Sequence, residues 1–241
     1  MKESDMIKAE LEFPFSMVSL ALEAILTLPD ALRPTHKSLG EDEVGTRVGD
    51  ARVFLQTFEL PSIGVFLRNS IALYDFRKLR NGNLICCSYF DAIPYGAVKE
   101  FLIHMAMAHP IFGFACMAKE REHRNRITTK LGINTIESWV GRDTQKYIPG
   151  LYWWTLLPAS LAEKHGVPLS TIIGKALEHI ELEGKQHLLR FYEKPEDWQS
   201  AAVMSELYRS LPGVFDVEKL RPKLQGPTTF LELNAIINAW R

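Results

Sequence analysis

The chain opens with a segment in which apolar and polar side chains alternate. The segment runs from Ile7 to Phe15, and its apolar positions are Ile7, Ala9, Leu11 and Phe13. A period of two residues is typical of a β-strand with one buried face. We therefore predict a strand here, with Glu10 and Glu12 pointing outward from the opposite face.

From Ser16 the apolar spacing changes to three and four residues, which predicts an α-helix. The apolar stripe consists of Met17, Leu20, Ala21, Ala24, Ile25 and Leu28. Ser16 is a candidate N-cap, because a serine hydroxyl can accept a hydrogen bond from the first turn. Pro29 marks the end of the helix, since proline does not continue one.

The stretch from Arg33 to Asp50 has neither period and is rich in glycine and charge, which indicates a loop. It carries an acidic run of three residues, Glu41, Asp42 and Glu43. A short helix is predicted over Ala51 to Leu60. Three strands are then predicted, at Ile63–Arg68, Ile71–Phe76 and Leu84–Phe90, the last two flanking the turn-forming pair Asn81-Gly82. A second core helix is predicted over Ala97–Ala108.

The second half of the chain contains more segments of strand length than of helix length. The predicted strands are Ile111–Ala118, Thr135–Val140, Leu151–Leu157, Leu177–Glu183 and Gln186–Tyr192. The predicted helices are Pro158–His165, Met204–Leu211 and Phe230–Trp240, and the charged stretch Lys119–Lys130 is expected to be an exposed helix or loop. The pattern predicts an α+β fold with a mainly antiparallel sheet and two or three packed helices. We expect one domain over residues 1–241, with 212–241 as a C-terminal extension.

The charge balance argues against a partner attracted by the overall field of the protein. Lys and Arg number 28 against 29 Asp and Glu, so the net charge is −1, and nothing draws nucleic acid or an anionic membrane. No apolar run approaches the ~20 residues that span a bilayer, and the acidic first residues do not resemble a secretory signal. The three cysteines, Cys86, Cys87 and Cys116, have apolar neighbours and favour a reducing compartment. These features predict a cytoplasmic protein.

No catalytic motif is visible along the chain. The seven histidines are scattered without a helical i, i+4 pair or a neighbouring cysteine pair, which argues against a metal site. A Gly-x-Ser-x-Gly elbow, a P-loop and a dinucleotide-binding glycine motif are all missing from the sequence. We therefore predict no catalytic residues, no metal and no cofactor.

The candidate binding residues fall in two places. The acidic run Glu41 to Glu43 is either a solvated loop or a patch that contacts a basic partner. The other place is Trp139–Leu157, which contains five large aromatic residues, Trp139, Tyr147, Tyr152, Trp153 and Trp154. This segment is either a core strand beside a turn or a source of aromatic anchors such as Tyr152 and Trp153.

Two charged neighbours, Arg142 and Asp143, lie just ahead of those aromatic residues. They form either a local ion pair that holds the turn or polar contacts at the rim of an interface. The sequence alone leaves both interpretations open, so Arg142 and Asp143 join the candidate partner-binding residues.

Two segments give the chain a family resemblance. Residues 33–43 (RPTHKSLGEDE) and 141–157 (GRDTQKYIPGLYWWTLL) are similar to the immunity protein 52 family of bacterial polymorphic-toxin and type VI secretion systems. The resemblance implies an α+β fold and a cognate toxin, a DNase with a restriction-endonuclease-like domain, that is neutralised by tight binding in the cytoplasm. It supplies no functional residues to carry over.

Two other classes of function remain open at this point. One is a hydrolase whose site is assembled from dispersed histidines or acids, such as a pocket lined by His104, His109 or the acidic loop. The other is an oligomeric scaffold in which the aromatic segment packs against a second copy of the chain.

Overall fold

The computed structural model describes residues 6–41, 43, 45–58, 64–200, 207 and 210–240. Asp42 and most of the predicted helix Met204–Leu211 lie outside these residues. The strands are β1 (Ile7–Phe13), β2 (His36–Ser38), β3 (Thr46–Arg47), β4 (Val65–Arg68), β5 (Ala72–Lys78), β6 (Leu84–Phe90), β7 (Phe112–Met117), β8 (Arg126–Leu131), β9 (Asn134–Trp139), β10 (Trp154–Pro158), β11 (Glu178–Leu182) and β12 (Gln186–Arg190). These strands cover most of the segments in which the hydrophobic pattern predicted a strand.

The helices account for the remaining long elements of the described chain. The α-helices are α1 (Val18–Leu26), α2 (Ala51–Thr57), α3 (Tyr95–Ala106), α4 (Ala118–Asn125), α5 (Ala159–Lys164), α6 (Leu169–Lys175), α7 (Val217–Leu220) and α8 (Phe230–Ala239). Short 3₁₀ turns occupy Phe15–Met17, Glu183–Lys185, Pro195–Gln199 and Arg221–Gln225. Mixed helices and strands of this kind confirm the α+β fold class.

Ten of the described strands form one sheet, in the order β11-β12-β10-β7-β1-β6-β5-β4-β2-β3. Every neighbouring pair in it is antiparallel, which confirms the predicted sheet type. The first strand of the chain lies near the middle, between β6 and β7. The remaining two strands, β8 and β9, pair with each other as a separate hairpin.

One face of the sheet is covered by helices. Phe101 of α3 packs edge-on against Phe90, with ring centroids 5.1 Å apart, and stacks on Tyr74 at 6.0 Å. The pairing of Ile7 with Phe90 places the apolar side chains of β1 on this same face. Alternation therefore sends the apolar residues of the strand into the core, as the sequence pattern predicted.

The other face of the sheet is covered as well, which corrects one expectation. Glu10 and Glu12 do lie on the face opposite Leu11, but they are only 5% and 6% exposed. Helix α4 and residues 140–153 lie over them, so their outward direction does not lead to solvent. The stretch expected to be an exposed helix or loop is α4 followed by β8, and Glu120, Arg121 and Asn125 within it are buried.

Two local expectations near the amino end are also wrong. Ser16 does not cap the first helix, because the 3₁₀ turn Phe15–Met17 intervenes and Met17 takes the cap position without a side-chain hydrogen bond. The predicted loop Arg33–Asp50 contains the two short strands β2 and β3, which extend the sheet at its edge. A three-residue strand is too short for hydrophobic periodicity to reveal.

The C-terminal residues pack against the hairpin β8-β9 and form a second hydrophobic cluster. Its buried members are Ile127, Val140, Phe215, Val217, Leu220, Leu224, Leu233 and Ile237. Gly141 has a φ of +68°, and a Cβ there would lie 2.1 Å from the Phe215 ring, so only glycine fits this position. The extension predicted after Pro212 is thus an integrated layer of the described structure. Within the described residues, no helix combines the length and hydropathy needed to cross a bilayer.

Candidate functional site

The most organised polar group of the described structure is built around Glu10. Its Oε2 accepts a hydrogen bond from Arg121 Nη2 at 2.9 Å, and its Oε1 lies 2.9 Å from Lys8 Nζ. A third cation, Arg142, places Nη2 3.6 Å from the same carboxylate. We call these four residues the Glu10 network. One buried carboxylate is thus surrounded by three positive charges, which offset the cost of removing it from water.

Three separate elements bring the Glu10 network together. Strand alternation places Lys8 and Glu10 on one face of β1. The neighbouring strand β7 ends at Met117, and α4 begins at once with Ala118, so Arg121 in the first turn of α4 folds back over that face. Arg142 comes from the segment that follows β9.

Tyr152 and Asn125 extend the Glu10 network and fix the chain that covers it. The Tyr152 hydroxyl accepts a hydrogen bond from Arg121 Nη1 at 3.1 Å and donates one to Asn125 Oδ1 at 2.5 Å. Asn125 Nδ2 in turn donates to the backbone carbonyls of Val140, Gly141 and Pro149. The Tyr152 ring stacks on Phe114 at 3.9 Å between centroids. The covering segment is therefore tied to the sheet by polar and aromatic contacts together.

A second buried carboxylate, Glu120, lies on the same helix. Its Oε1 accepts a hydrogen bond from Arg124 Nε at 2.8 Å, and its Oε2 accepts one from the Tyr192 hydroxyl. The neighbouring residues Glu120 and Arg121 of α4 are thus a buried carboxylate and a buried guanidinium. Glu120 pairs with Arg124, and Arg121 pairs with Glu10. This arrangement satisfies charges that would otherwise be costly inside the protein.

The two buried acids respond to their surroundings in opposite ways. Burial by itself opposes ionisation of Glu10, but Arg121, Lys8 and Arg142 outweigh it and hold the pKa of Glu10 well below its usual range. Burial also raises the pKa of Glu120, and there the single cation Arg124 does not reverse the effect. The number of nearby cations decides which influence prevails.

A small cavity adjoins the Glu10 network. Its volume is about 70 Å³, and its lining residues are Glu10, Glu12, Leu79, Ile85, Phe112, Phe114, Arg121, Arg142 and Pro149. Glu12 Oε1 accepts hydrogen bonds from the side-chain amides of Asn81 and Asn83, at 3.0 and 2.6 Å. The turn between β5 and β6 therefore positions the second carboxylate of β1. The cavity combines two acids, two guanidinium groups and apolar walls.

The acidic run that the sequence singled out lies elsewhere, at the far edge of the sheet. Glu41 and Glu43 are exposed, whereas Asp42 lies outside the described residues. Arg68 of β4 holds the loop by donating hydrogen bonds to the backbone carbonyls of Glu41 and Glu43. The Glu43 carboxylate accepts a hydrogen bond from the Leu39 backbone N–H at 3.2 Å. Glu41 and Glu43 are thus exposed to solvent on a loop whose backbone is fixed by Arg68.

Arg142 and Asp143 each make polar contacts, but with different partners. Asp143 Oδ1 accepts the Gln145 backbone N–H at 3.0 Å, and its Oδ2 lies 3.7 Å from Lys146 Nζ. Arg142 points to Glu10 instead. Asp143 therefore holds the local turn, while Arg142 belongs to the Glu10 network. Of the two interpretations left open by the sequence, the ion pair between these neighbours does not fit the contacts that the structure describes.

Tyr152 and Trp153 are buried, at 0% and 1% exposure, which corrects the expectation that they anchor a partner. The Trp153 ring packs edge-on against Tyr95 at 5.3 Å, and Tyr152 is occupied by the Glu10 network. Both side chains are core residues in this structure, because the layer above the sheet encloses them. The scaffold hypothesis required the aromatic segment to pack against a second copy of the chain. Burial of Tyr152 and Trp153 keeps both side chains from making that contact.

The histidines and cysteines are dispersed over the fold. His104 Nε2 lies 3.1 Å from Thr27 Oγ1, and His109 Nδ1 lies 3.3 Å from Gln186 Nε2, so the two histidines of the hydrolase hypothesis have separate partners. Among the described residues, no group of three or more His, Cys, Asp or Glu side chains is placed to hold a metal ion. Burial raises the pKa of the Cys86 and Cys87 thiols.

Sequence reasoning missed the Glu10 network. Glu10 and Arg121 are 111 positions apart, and no motif links them. The antiparallel pairing of β1 with β7 brings them together. The sequence feature that could have indicated it is the high number of large aromatic residues in 139–157, because such a segment can cover buried charged groups. Protein-family models, curated proteins and solved structures yield no match to this chain.

Proposed function

We propose that this chain is an immunity protein that binds a cognate toxin, a DNase, and neutralises it in the cytoplasm without catalysing a reaction. The proposal rests on the family resemblance of residues 33–43 and 141–157 and on one structural observation. The first of these segments contains β2, which lies next to the edge strand β3 of the ten-stranded sheet, and it carries Glu41 and Glu43, which are exposed. That edge is the proposed toxin-binding surface.

The chemistry of this edge suits a nuclease partner. A nuclease binds a polyanion, so the groove around its active site is commonly basic, and exposed carboxylates complement such a surface. Leu39, which is 52% exposed, supplies apolar area, and its backbone contacts Glu43 directly. Interfaces combine an apolar centre with a polar rim in this way.

The second resembling segment has a different role in the proposal. Residues 141–157 contribute Arg142 to the Glu10 network and Tyr152, which extends it through Arg121. Most of the large side chains of this segment are buried. We assign this segment to holding the fold in the shape that presents the edge. The aromatic residues that the sequence suggested as anchors are therefore absent from the proposed surface.

The test is charge reversal at the two opposite edges of the same sheet. In the Glu41→Lys/Glu43→Lys variant, affinity for the purified cognate DNase of this proposal should fall at least tenfold, or about 1.4 kcal/mol. The matched control is Glu181→Lys/Glu183→Lys, which reverses two exposed acids at the β11 edge and should change affinity less than twofold. Isothermal titration calorimetry gives both values.

Two results would overturn the proposal. If the unaltered chain neither binds the toxin nor suppresses DNA cleavage in a nuclease assay, the immunity function is wrong. If both charge reversals weaken binding equally, the surface is wrong, because the loss then reflects overall charge and not the β2-β3 edge.

A further inference from the structure

Three polar groups that line the cavity beside the Glu10 network have unused hydrogen-bonding capacity. Arg121 Nε is fully buried and has no hydrogen-bond partner among the described residues. Asn81 and Asn83 both donate to Oε1 of Glu12. Among the described residues, this leaves Glu12 Oε2 without a hydrogen-bond donor. Arg142 Nη2 lies 3.6 Å from Glu10 Oε2, which is beyond a good hydrogen bond.

An unpaired donor inside a protein is costly, so this arrangement indicates a ligand. A buried N–H without an acceptor loses on the order of 1–3 kcal/mol relative to a satisfied one. Arg121 lines the cavity together with Glu12 and Arg142, and one small molecule there can reach all three. The Arg142 side chain is 35% exposed, so the cavity has a route to solvent beside it.

The size of the cavity limits the ligand. A water molecule requires roughly 10–15 Å³ measured in the same way, so about 70 Å³ accommodates about five to seven non-hydrogen atoms. The apolar walls formed by Ile85, Phe112 and Phe114 leave hydrogen bonding to the charged groups at the two ends. Glu10 and Glu12 are two positions apart on one strand, which separates them by about 7 Å.

We infer that this cavity binds a small α-amino acid as its zwitterion. The ligand carboxylate accepts hydrogen bonds from Arg121 Nε and Arg142, and its ammonium group donates to Glu12 Oε2. A simple anion would leave Glu12 Oε2 without a donor, and a simple cation would leave Arg121 Nε without an acceptor. Glycine, alanine and serine have the charges and the size that the cavity requires. This inference is independent of the toxin-binding proposal.

The test is calorimetric titration of the full chain with glycine, L-alanine and L-serine. Saturable binding is expected for at least one of them. Acetate and methylamine, which each carry half of the zwitterion, should bind at least tenfold more weakly, and L-leucine should be excluded by its size. If no amino acid saturates the protein at millimolar concentration, or acetate binds as tightly as glycine, the inference is wrong and the cavity holds only water or an anion.

Two variants locate the binding. Glu12→Gln removes the charge that faces the ammonium group, and Arg142→Gln removes a cation that makes no short hydrogen bond in the described structure, so the fold should tolerate both. Each should weaken amino-acid binding at least tenfold, whereas the distant control Glu181→Gln should leave it unchanged. Thermal unfolding of each ligand-free variant checks that it is folded. Equal binding by a folded Arg142→Gln or Glu12→Gln variant would place the site elsewhere and overturn the inference.

Discussion

Two groups of carboxylates in this molecule differ in almost every physical respect. Glu10, Glu12 and Glu120 are buried and make specific contacts with cations, amides or a hydroxyl group. Glu41 and Glu43 are exposed on an edge loop, and the sheet holds that loop by its backbone. The buried acids are recognised as a group only from the structure, whereas the exposed acids belong to a run that is visible in the sequence.

The contrast teaches that charge has a different use at each position. An exposed acid costs little and is available to a partner, while a buried acid must be matched by its own protein. We therefore expect breaking the buried pair of Glu10 and Arg121 to destabilise the fold, and substitutions at the edge to change mainly binding.

Replacing Arg121 by methionine should have the largest effect. The substitution leaves the Glu10 carboxylate without its closest guanidinium partner inside the protein, and breaking a buried pair in this way costs about 3–5 kcal/mol. Urea unfolding should show the free energy of unfolding reduced by that amount. The double variant Glu10→Leu/Arg121→Met should lose less than the single variant, because no unpaired charge remains. An equal loss in both would show that packing, and not charge, dominates.

Replacing Tyr152 by phenylalanine should have an intermediate effect. The change removes one hydroxyl that both accepts from Arg121 and donates to Asn125, and leaving those groups unsatisfied costs about 1–3 kcal/mol. The control is Tyr95→Phe, which removes an exposed hydroxyl bonded to Glu196 and should cost less. Thermal or urea unfolding of the two variants gives the comparison. A smaller loss for Tyr152→Phe than for Tyr95→Phe would contradict the role of the Glu10 network.

Acidification should weaken the fold through Glu10. Since its pKa is lowered in the folded state, its contribution to stability is fully present above the usual value of 4.5 and is lost as pH falls toward the lowered one. One group changes the free energy of unfolding by at most about 1.4 kcal/mol per pH unit. Urea unfolding between about pH 5 and about pH 3 should give a shallower pH dependence for Glu10→Gln than for the unaltered protein.

Glu120 provides the opposite sign in the same experiment. Its pKa is raised by burial, so its contribution is fully present below the usual value and is lost as pH rises through the raised one. Glu120→Gln should therefore flatten the pH dependence between the usual pKa and the raised one. If the two variants change the same limb of the pH profile, the opposite assignment of the two acids is wrong.

Reversing the charge of Glu41 and Glu43 should have the smallest effect on folding. Both residues are exposed, and within the described part of the chain the substitution removes one weak side-chain contact, in which the Glu43 carboxylate accepts the Leu39 backbone N–H. The free energy of unfolding should change by no more than about 1 kcal/mol. A larger loss in urea unfolding would mean that the acidic edge is part of the fold and not a free surface.

Much of the fold could be predicted from the hydrophobic pattern. The alternation at Ile7, Ala9, Leu11 and Phe13 and the helical stripe from Met17 to Leu28 are local properties of the chain. The structure confirms a strand at Ile7–Phe13 and a helix at Val18–Leu26. The short strands β2 and β3 could not be found in this way, because three residues or fewer carry no period. Pairing with β4, supplied by the rest of the sheet, makes them strands.

The candidate site was harder to predict than the fold. Alternation correctly placed Glu10 opposite Leu11, yet it does not report whether a second layer covers that face. Arg121 lies in a charged stretch that is typical of a solvated helix, and its burial depends on residues 140–153 closing over it. Arg142 and Tyr152 were singled out for their chemistry, and the structure brings them together with Glu10 in a way that no sequence spacing indicates.

The central position of the first strand has a consequence for how this protein folds as it is made. Ile7–Phe13 is synthesised before both of its neighbours, which end at Phe90 and Met117, so its two edges cannot both be paired until Met117 has been synthesised. Such distant pairing slows folding. We expect pulsed hydrogen exchange to show β1 amides protected late, together with those of β7, and early protection of β1 alone would contradict this order.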